Sequence, residues 1–152
     1  DKIIKNKIIN DIAQSIIGKN FKNFGINKVR INLPVSSFSK SITPWHQDEQ
    51  TWPDALINQR PITIFIPLTK TDEENGIEFA LLKNKSQLFT HYGKKGIVTS
   101  EVKNFIENAQ TFKSNLNIGD ILVFNEFVPH RTIPNKKDQL RVSLDIRFCP
   151  VN

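Results

Sequence analysis

The first 20 residues carry apolar side chains at helical spacing. Isoleucines recur at every fourth position, Ile9 and Ala13 widen the apolar stripe, and lysines and asparagines fall outside it. This period predicts an amphipathic helix over residues 2–17, for which Gly18 is a suitable C-terminal stop. We expect the helix to pack its stripe against one face of a domain.

From Lys28 onward the pattern changes to the period of two that is typical of β-strands. Val29, Ile31 and Leu33 alternate with polar residues, and later apolar runs are short and bounded by Gly, Pro or Asn. These patterns predict strands over residues 28–33, 62–66, 77–82, 97–99, 121–124 and 140–148, and a short helix over 101–109.

Many short strands separated by turns, such as the turn at Asn75-Gly76, are typical of a mainly β sandwich or jelly-roll barrel. We therefore predict a β core over residues 28–150 with an N-terminal packing helix within residues 1–20. Strands do not alternate regularly with helices and no glycine-rich phosphate loop is present, which argues against a dinucleotide-binding sheet.

Length and composition limit the alternatives. The chain has 152 residues without an internal repeat, so we expect one domain over residues 1–152. No apolar run reaches the roughly 18 residues that span a bilayer, and no signal peptide is visible. The chain begins with Asp1, so an origin in a longer parent protein stays open. The single cysteine, Cys149, is expected to be a buried structural thiol in a reducing, cytoplasmic compartment.

The net charge of +6 arises from 21 lysines and arginines against 15 aspartates and glutamates. Such a surface favours attraction to a small anionic substrate. The lysines are dispersed and no nucleic-acid motif accompanies them, so we expect neither a nucleic-acid nor a membrane partner.

Two of the three histidines occupy positions that suit a metal site. His46 and Asp48 are two residues apart, so in an extended segment their side chains point to the same side. His130 follows the strand predicted over 121–124, from which the chain can return to the same cavity. Two imidazoles and one carboxylate form the facial triad that suits iron(II) and leaves positions open for a bidentate co-substrate and dioxygen. His-x-Asp alone is a weak signal.

The last predicted strand adds a second group of polar side chains. Arg141, Ser143, Asp145 and Arg147 share one face of it, and apolar residues share the other. A hairpin after His130 would bring Arg141 beside the metal, where its forked guanidinium suits a carboxylate. Ser143, and Thr132 on the neighbouring strand, would donate further hydrogen bonds. Arg147 is the second choice for the carboxylate contact.

Three segments together resemble the phytanoyl-CoA dioxygenase-like branch of the iron(II)/2-oxoglutarate oxygenases. They are His46-Gln47-Asp48, the turn Glu74-Asn75-Gly76, and the stretch Gly119–Phe124 followed by His130 and Arg141. The resemblance covers about residues 28–150 and is carried by the order and spacing of the motifs.

The resemblance implies a double-stranded β-helix, a jelly-roll or cupin-like barrel with the metal inside one end. It implies that His46, Asp48 and His130 bind Fe(II), and that Arg141, assisted by Thr132, holds the distal carboxylate of the co-substrate 2-oxoglutarate. The implied activity is a dioxygenase that uses O2 to hydroxylate or otherwise oxidise an unactivated C–H bond of a small molecule. Because Asp48 is a carboxylate, hydroxylation is favoured over the halogenation of related enzymes.

Four other residues are candidates for contact with the primary substrate. Trp45 and Trp52 flank the metal motif, and Arg30 and Arg131 are candidate anion contacts. His91 is expected in a surface loop. Two other functions stay open: a 2-oxoglutarate-independent, cupin-type metalloenzyme that would not need Arg141, and a non-catalytic barrel that binds a partner without stoichiometric iron.

Overall fold

A computed structural model defines the fold. It describes residues 2–25, 27–35, 42–48, 59–83, 88–89, 91–92, 97–98 and 100–151. None of the helices in these segments is long and apolar enough to cross a membrane.

The N-terminal helix, α1, spans Lys7–Ile17. It begins five residues later than predicted, because Asn6 caps it: the Asn6 side chain accepts a hydrogen bond from the Ile8 amide at 2.9 Å. It ends as predicted, at Gly18, whose φ of 104° suits a residue without a Cβ and whose amide donates to the carbonyl of Gln14.

The apolar stripe of α1 is centred on Ile9 and Ala13, which are its two buried residues. The isoleucines at every fourth position lie to the side of this line, and Ile8 is 64% exposed. The residues that we read as widening the stripe therefore form its packed centre.

Ten β-strands and a second helix follow in the described residues. They are β1 (Phe21–Asn23), β2 (Lys28–Asn32), β3 (Ile62–Pro67), β4 (Ile77–Ala80), β5 (His91–Tyr92), β6 (Ile97–Val98), α2 (Ser100–Asn108), β7 (Thr111–Lys113), β8 (Leu122–Asn125), β9 (His130–Thr132) and β10 (Arg141–Pro150). Each predicted strand and the predicted short helix is present, with ends shifted by a few residues. The sequence pattern did not predict β1 or β7, because three residues are too few to establish a period of two.

Two antiparallel sheets form the core. The larger has the order β1-β10-β3-β8, with β2 also paired to β10, and the smaller has the order β7-β4-β9. Strands β5 and β6 form a separate two-stranded ribbon. Because β1 belongs to the larger sheet, the β core begins at Phe21 and not at residue 28 as predicted.

Strand β10 organises the larger sheet, since it pairs with β1, β2 and β3. One of its faces, with Ile146 and Phe148, packs with β3 against Ile9 and Ala13 of α1. Its opposite face points between the two sheets, where side chains from both sheets form a second buried cluster. Side chains alternate along a strand, so the polar face of β10 is directed into the barrel and not to solvent.

The connection from β9 to β10 corrects one prediction. We expected a hairpin between His130 and Arg141, but β9 belongs to the smaller sheet and β10 to the larger. The chain crosses from one sheet to the other. Arg141 nevertheless faces the same interior as His130, because the inner faces of the two sheets oppose each other.

Gly76 permits a close approach between the turn before β4 and the segment after β7. A Cβ at this position would clash with Ser114 Oγ and lie 2.7 Å from the Asp72 carbonyl oxygen. Ser114 Oγ is held in place because it accepts the Ile77 amide at 2.9 Å.

We therefore expect Gly76→Ala to lower the free energy of unfolding by about 1–3 kcal/mol, the usual cost of overpacking. Urea unfolding of the two proteins measures the difference. A change below about 0.5 kcal/mol, the scale of an ordinary surface substitution, would show that the turn accommodates the added methyl group without loss of stability.

Candidate metal centre

His46 and His130 face each other across an antiparallel pair of backbone segments. The His46 amide donates to the His130 carbonyl and the His130 amide donates to the His46 carbonyl, both at 2.9 Å. Residues paired in this way direct their side chains to the same face. The two imidazole ring centres are consequently 4.1 Å apart, and both side chains are buried.

Backbone carbonyls select the tautomer of each ring. His46 Nδ1 lies 2.9 Å from the carbonyl oxygen of Pro44, and His130 Nδ1 lies 2.9 Å from that of Val128. A carbonyl oxygen only accepts, so each Nδ1 carries the proton and each Nε2 is left with a lone pair. This is the second contact that metal-binding histidines usually make.

Asp48 completes the cluster from the segment that carries His46. Its Oδ1 lies 3.7 Å from His46 Nε2, whereas its Oδ2 accepts a hydrogen bond from Thr63 Oγ1 at 2.7 Å. Candidate ligand atoms of His46, Asp48 and His130 all lie within 4.8 Å of one another. The chemistry of this donor set, two neutral imidazoles and a carboxylate on one side, fits iron(II).

The charge states of the cluster suit metal binding. Burial, followed by repulsion from His130, lowers the pKa of His46 to about 3, so the ring is neutral near pH 7. Burial alone would raise the pKa of Asp48, but Arg147, the two histidines and the Thr63 hydrogen bond outweigh it and lower that pKa to about 2. His46 and Asp48 are therefore deprotonated, as metal ligands must be, at physiological pH.

These pKa directions predict that the metal-free protein loses stability as the pH falls from about 6.5 toward about 3. In that window the unfolded chain protonates its histidine while the folded chain keeps His46 neutral, so protonation favours unfolding. The contribution of His46 approaches about 1.4 kcal/mol per pH unit.

Urea unfolding between about pH 7 and pH 4 measures this slope. A His46→Gln variant, which lacks the titrating ring, is expected to show a shallower dependence. Equal slopes for the two proteins would contradict the assignment of His46 as a buried neutral histidine.

Arg141 lies in the same cavity, at the start of β10. Its side chain is 2% exposed, its Nε donates to the carbonyl oxygen of Asn75 at 3.2 Å, and its Nη1 donates to Ser143 Oγ at 2.7 Å. Burial lowers its pKa to about 10, so it remains a cation near pH 7. The fully buried Ser143 thus orients Arg141, and Thr132 on β9 lines the same cavity.

The cavity is lined by both sheets and by the segment that carries His46. Its lining comprises Arg30, Thr43, His46, Phe65, Ile77, Phe124, His130, Arg131, Thr132, Arg141, Asp145 and Arg147. Of the residues that the sequence proposed for the metal and the co-substrate, this lining includes His46, His130, Arg141 and Thr132. Asp48 and Ser143 lie behind it, in contact with His46 and Arg141.

The family described as phytanoyl-CoA dioxygenase (PhyH) matches residues 2–143. The chain belongs to this family. The resemblance inferred from the motifs is thereby confirmed, as is the mainly β, jelly-roll fold, and the family belongs to the dioxygenase class that the sequence predicted.

Solved structures of non-heme enzymes share the fold of this dioxygenase family member. The apo non-heme monooxygenase ThoJ is 21% identical with a TM-score of 0.76, and the alignment covers 99% of this chain and 54% of that one. EvdO2 from Micromonospora carbonacea var. aurantiaca, complexed with 2-oxoglutarate, is 17% identical with a TM-score of 0.74, covering 99% and 62%. The epimerase SnoN, complexed with Fe3+, alpha ketoglutarate and nogalamycin RO, is 16% identical with a TM-score of 0.74, covering 98% and 57%.

The chain spans little more than half the length of ThoJ and SnoN. Among curated proteins, the comparison gives no significant match.

The family motif contains a residue whose role the sequence did not reveal. Gln47, between His46 and Asp48, is fully buried and points to the opposite side of the segment. Its Nε2 donates to the Phe127 carbonyl oxygen at 2.5 Å, and its Oε1 accepts the Phe89 amide at 2.8 Å. Gln47 therefore ties the segment that carries His46 and Asp48 to the loop before His130. Only its placement inside the motif hinted at such a role.

The candidate substrate residues have mixed outcomes. Arg131 pairs with Glu78 at 2.6 Å, and its guanidinium lies 5.1 Å from the ring centre of the half-buried Trp45. Arg131 lines the cavity with its charge compensated by Glu78, and Trp45 packs against it outside the cavity lining. Trp52 lies outside the described residues. His91 is in β5 and not in a loop as predicted.

A chain of buried charges leads away from Asp48. Arg147 Nη2 lies 3.5 Å from Asp48 Oδ2 and 3.8 Å from Asp145 Oδ2, and Asp145 in turn accepts from Arg30 Nε at 3.0 Å. Arg147, our second choice for the co-substrate carboxylate, thus supports a candidate metal ligand instead. With Thr63 it engages Oδ2 of Asp48 and leaves Oδ1 directed toward the histidines.

Proposed function

We propose that the chain is the barrel of an iron(II)- and 2-oxoglutarate-dependent dioxygenase. The observation that carries the proposal is one cavity lined by His46 and His130 of the His-Asp-His cluster and by the buried Arg141, in a member of the phytanoyl-CoA dioxygenase family. The reaction would be oxidation, most simply hydroxylation, of an unactivated C–H bond in a small molecule, and the basic net charge favours an anionic one.

The metal would be held by Nε2 of His46, Nε2 of His130 and Oδ1 of Asp48. The hydrogen bonds to Pro44 and Val128 carbonyls fix both rings before the metal arrives, which keeps the site preorganised. Thr63 and Arg147 engage the second oxygen of Asp48. This arrangement favours coordination through one carboxylate oxygen.

The co-substrate would lie between the metal and Arg141. Nε and Nη1 of Arg141 donate to Asn75 and Ser143, and no described residue accepts from its Nη2, which would be available to a carboxylate. Thr132 stands beside this position. Phe65, Ile77 and Phe124 supply apolar walls that would exclude water from the reacting atoms.

Iron and 2-oxoglutarate supply the activation of dioxygen when bound. The balance is 2-oxoglutarate plus O2 plus R–H giving succinate, CO2 and R–OH, with one oxygen atom entering succinate and the other the product. The protein contributes binding, orientation and a dry cavity.

The buried Arg141 favours this function over a 2-oxoglutarate-independent metalloenzyme. A buried guanidinium without a carboxylate partner is costly unless an anionic ligand compensates it. Within the described residues, no acidic side chain lies within salt-bridge distance of Arg141. A dicarboxylate co-substrate carries the negative charge that would compensate it.

The test is succinate formation from 2-oxoglutarate in the presence of O2, iron(II) and ascorbate. We expect slow turnover without a primary substrate, dependent on iron and absent from an Asp48→Ala variant. Succinate formation that is equal in the variant, or no succinate at all from iron-loaded protein, would contradict the proposal.

A further inference from the structure

Arg30 is a second arginine that faces the cavity from the strand next to Arg141. Strand β2 pairs with β10 so that Arg30 is opposite Ser143 and Asn32 is opposite Arg141. Arg30 and Arg141 therefore lie on adjacent strands and on the same inner face. They are diagonal neighbours, offset by two residues in the strand register. Both line the metal cavity, and both line the adjoining cleft beside Thr43 and Thr132.

Asp145 anchors Arg30 without using all of its donors. The salt bridge joins Arg30 Nε to one oxygen of Asp145 at 3.0 Å. A guanidinium has five N–H donors in a fixed fork, and no other described residue accepts from Arg30. Its side chain is 36% exposed, so the other donors remain accessible from the cavity and cleft.

The charges around this position leave an excess of positive charge. Asp145 is shared by Arg30 and Arg147, and Asp48 already contacts Arg147, whereas no described acidic side chain forms a salt bridge with Arg141. The pKa of Arg141 is lowered by burial and further by the nearby charge of Arg30. A metal ion at the His-Asp-His cluster would add to the positive charge, so an anion with more than one negative charge is the ligand that compensates it best.

We propose that Arg30 is a second arginine of the co-substrate site and that it binds, together with Arg141, the distal carboxylate of 2-oxoglutarate. The proposal rests on the proposed function. It moves Arg30 from the primary substrate, where the sequence placed it, to the co-substrate. Two guanidinium forks on one carboxylate would make the site selective for dicarboxylic over monocarboxylic 2-oxo acids.

Calorimetric binding to iron(II)-loaded protein without oxygen tests this assignment. The two ligands are 2-oxoglutarate and 2-oxobutyrate, which share the 2-oxo acid head but differ in the distal carboxylate. We expect Arg30→Met to raise the Kd for 2-oxoglutarate by roughly 10- to 50-fold, since a partly exposed charge contact is lost. The Kd for 2-oxobutyrate and the Kd for iron are expected to stay unchanged.

The matched control is Lys22→Met, which removes one positive charge from an exposed position of β1 in the same sheet and should leave both Kd values unchanged. Arg30→Met deprives Asp145 of its closest partner, so Arg30→Gln, which retains a donor for Asp145, serves if the first variant does not fold. Arg30→Gln should show the same selective loss.

Three results would overturn the inference. An unchanged Kd for 2-oxoglutarate in both Arg30 variants would exclude contact with the co-substrate. Equal weakening of both ligands would place Arg30 at the carboxylate next to the 2-oxo group. A wild-type protein that binds iron but not 2-oxoglutarate would refute the proposed function itself, whereas the first two results refute only the role of Arg30.

Discussion

Replacing His130 by alanine is expected to abolish high-affinity iron(II) binding while leaving the fold intact. The variant removes one of three donors whose atoms lie within 4.8 Å of one another. The loss should exceed the roughly 100-fold that removal of an outer-shell partner costs. Among the described residues the side chain makes one hydrogen bond, to the Val128 carbonyl, and its ring packs against Phe79 and Phe124. We therefore expect the metal-free variant to fold, with a lower melting temperature because of the cavity that the substitution leaves.

Equilibrium dialysis against iron(II) without oxygen measures the affinity, and His91→Ala is the control. It removes the third histidine of the chain and is expected to bind iron as the wild type does. If the two variants bind iron equally well, the cluster of His46, Asp48 and His130 is not the metal site.

The second large effect is expected for Arg147→Met. Arg147 contacts two buried carboxylates, those of Asp48 and Asp145, and the substitution removes its positive charge from both. Breaking a buried ion pair by removing one partner costs about 3–5 kcal/mol in stability. We also expect a 10- to 100-fold weaker affinity for iron(II), on the order found for loss of an outer-shell contact, because Arg147 helps to orient Asp48.

Urea unfolding and iron dialysis measure the two effects, and Lys7→Met is the matched control. Lys7 forms an exposed salt bridge with Asp11 on α1, so its loss should cost about 0.5 kcal/mol or less. If Arg147→Met is as stable as Lys7→Met and binds iron normally, the buried charge chain has no role at the metal site.

The parts of the site that the sequence predicts are those set by local geometry. The two-residue spacing of His46 and Asp48 predicts that they share a side, and their candidate ligand atoms do lie together. Arg141 and Ser143 share the inner face of β10 because they are two residues apart in a strand. The strand patterns likewise follow local periodicity. The position of His130 opposite His46 required the family resemblance, since spacing alone does not fix which strands meet.

The remaining parts depend on contacts between distant segments. Arg30 with Asp145, and Arg131 with Glu78, pair residues that are far apart in the sequence, and no local pattern indicates such pairs. The expected hairpin before Arg141 was wrong for the same reason, because strand pairing is a tertiary property. The start of α1 after Asn6 could have been predicted, because asparagine is a favoured N-cap. The apolar period continues on the N-terminal side of Asn6, and it led to a predicted start that was too early.

The central claim is that one cavity binds iron and 2-oxoglutarate together, and a calorimetric titration without oxygen tests it most directly. Titration of 2-oxoglutarate into iron(II)-loaded protein is expected to give one bound molecule per chain, with no measurable binding to metal-free protein or to Asp48→Ala. Binding that is equally strong with and without iron, or no binding to the iron-loaded protein, would contradict the account.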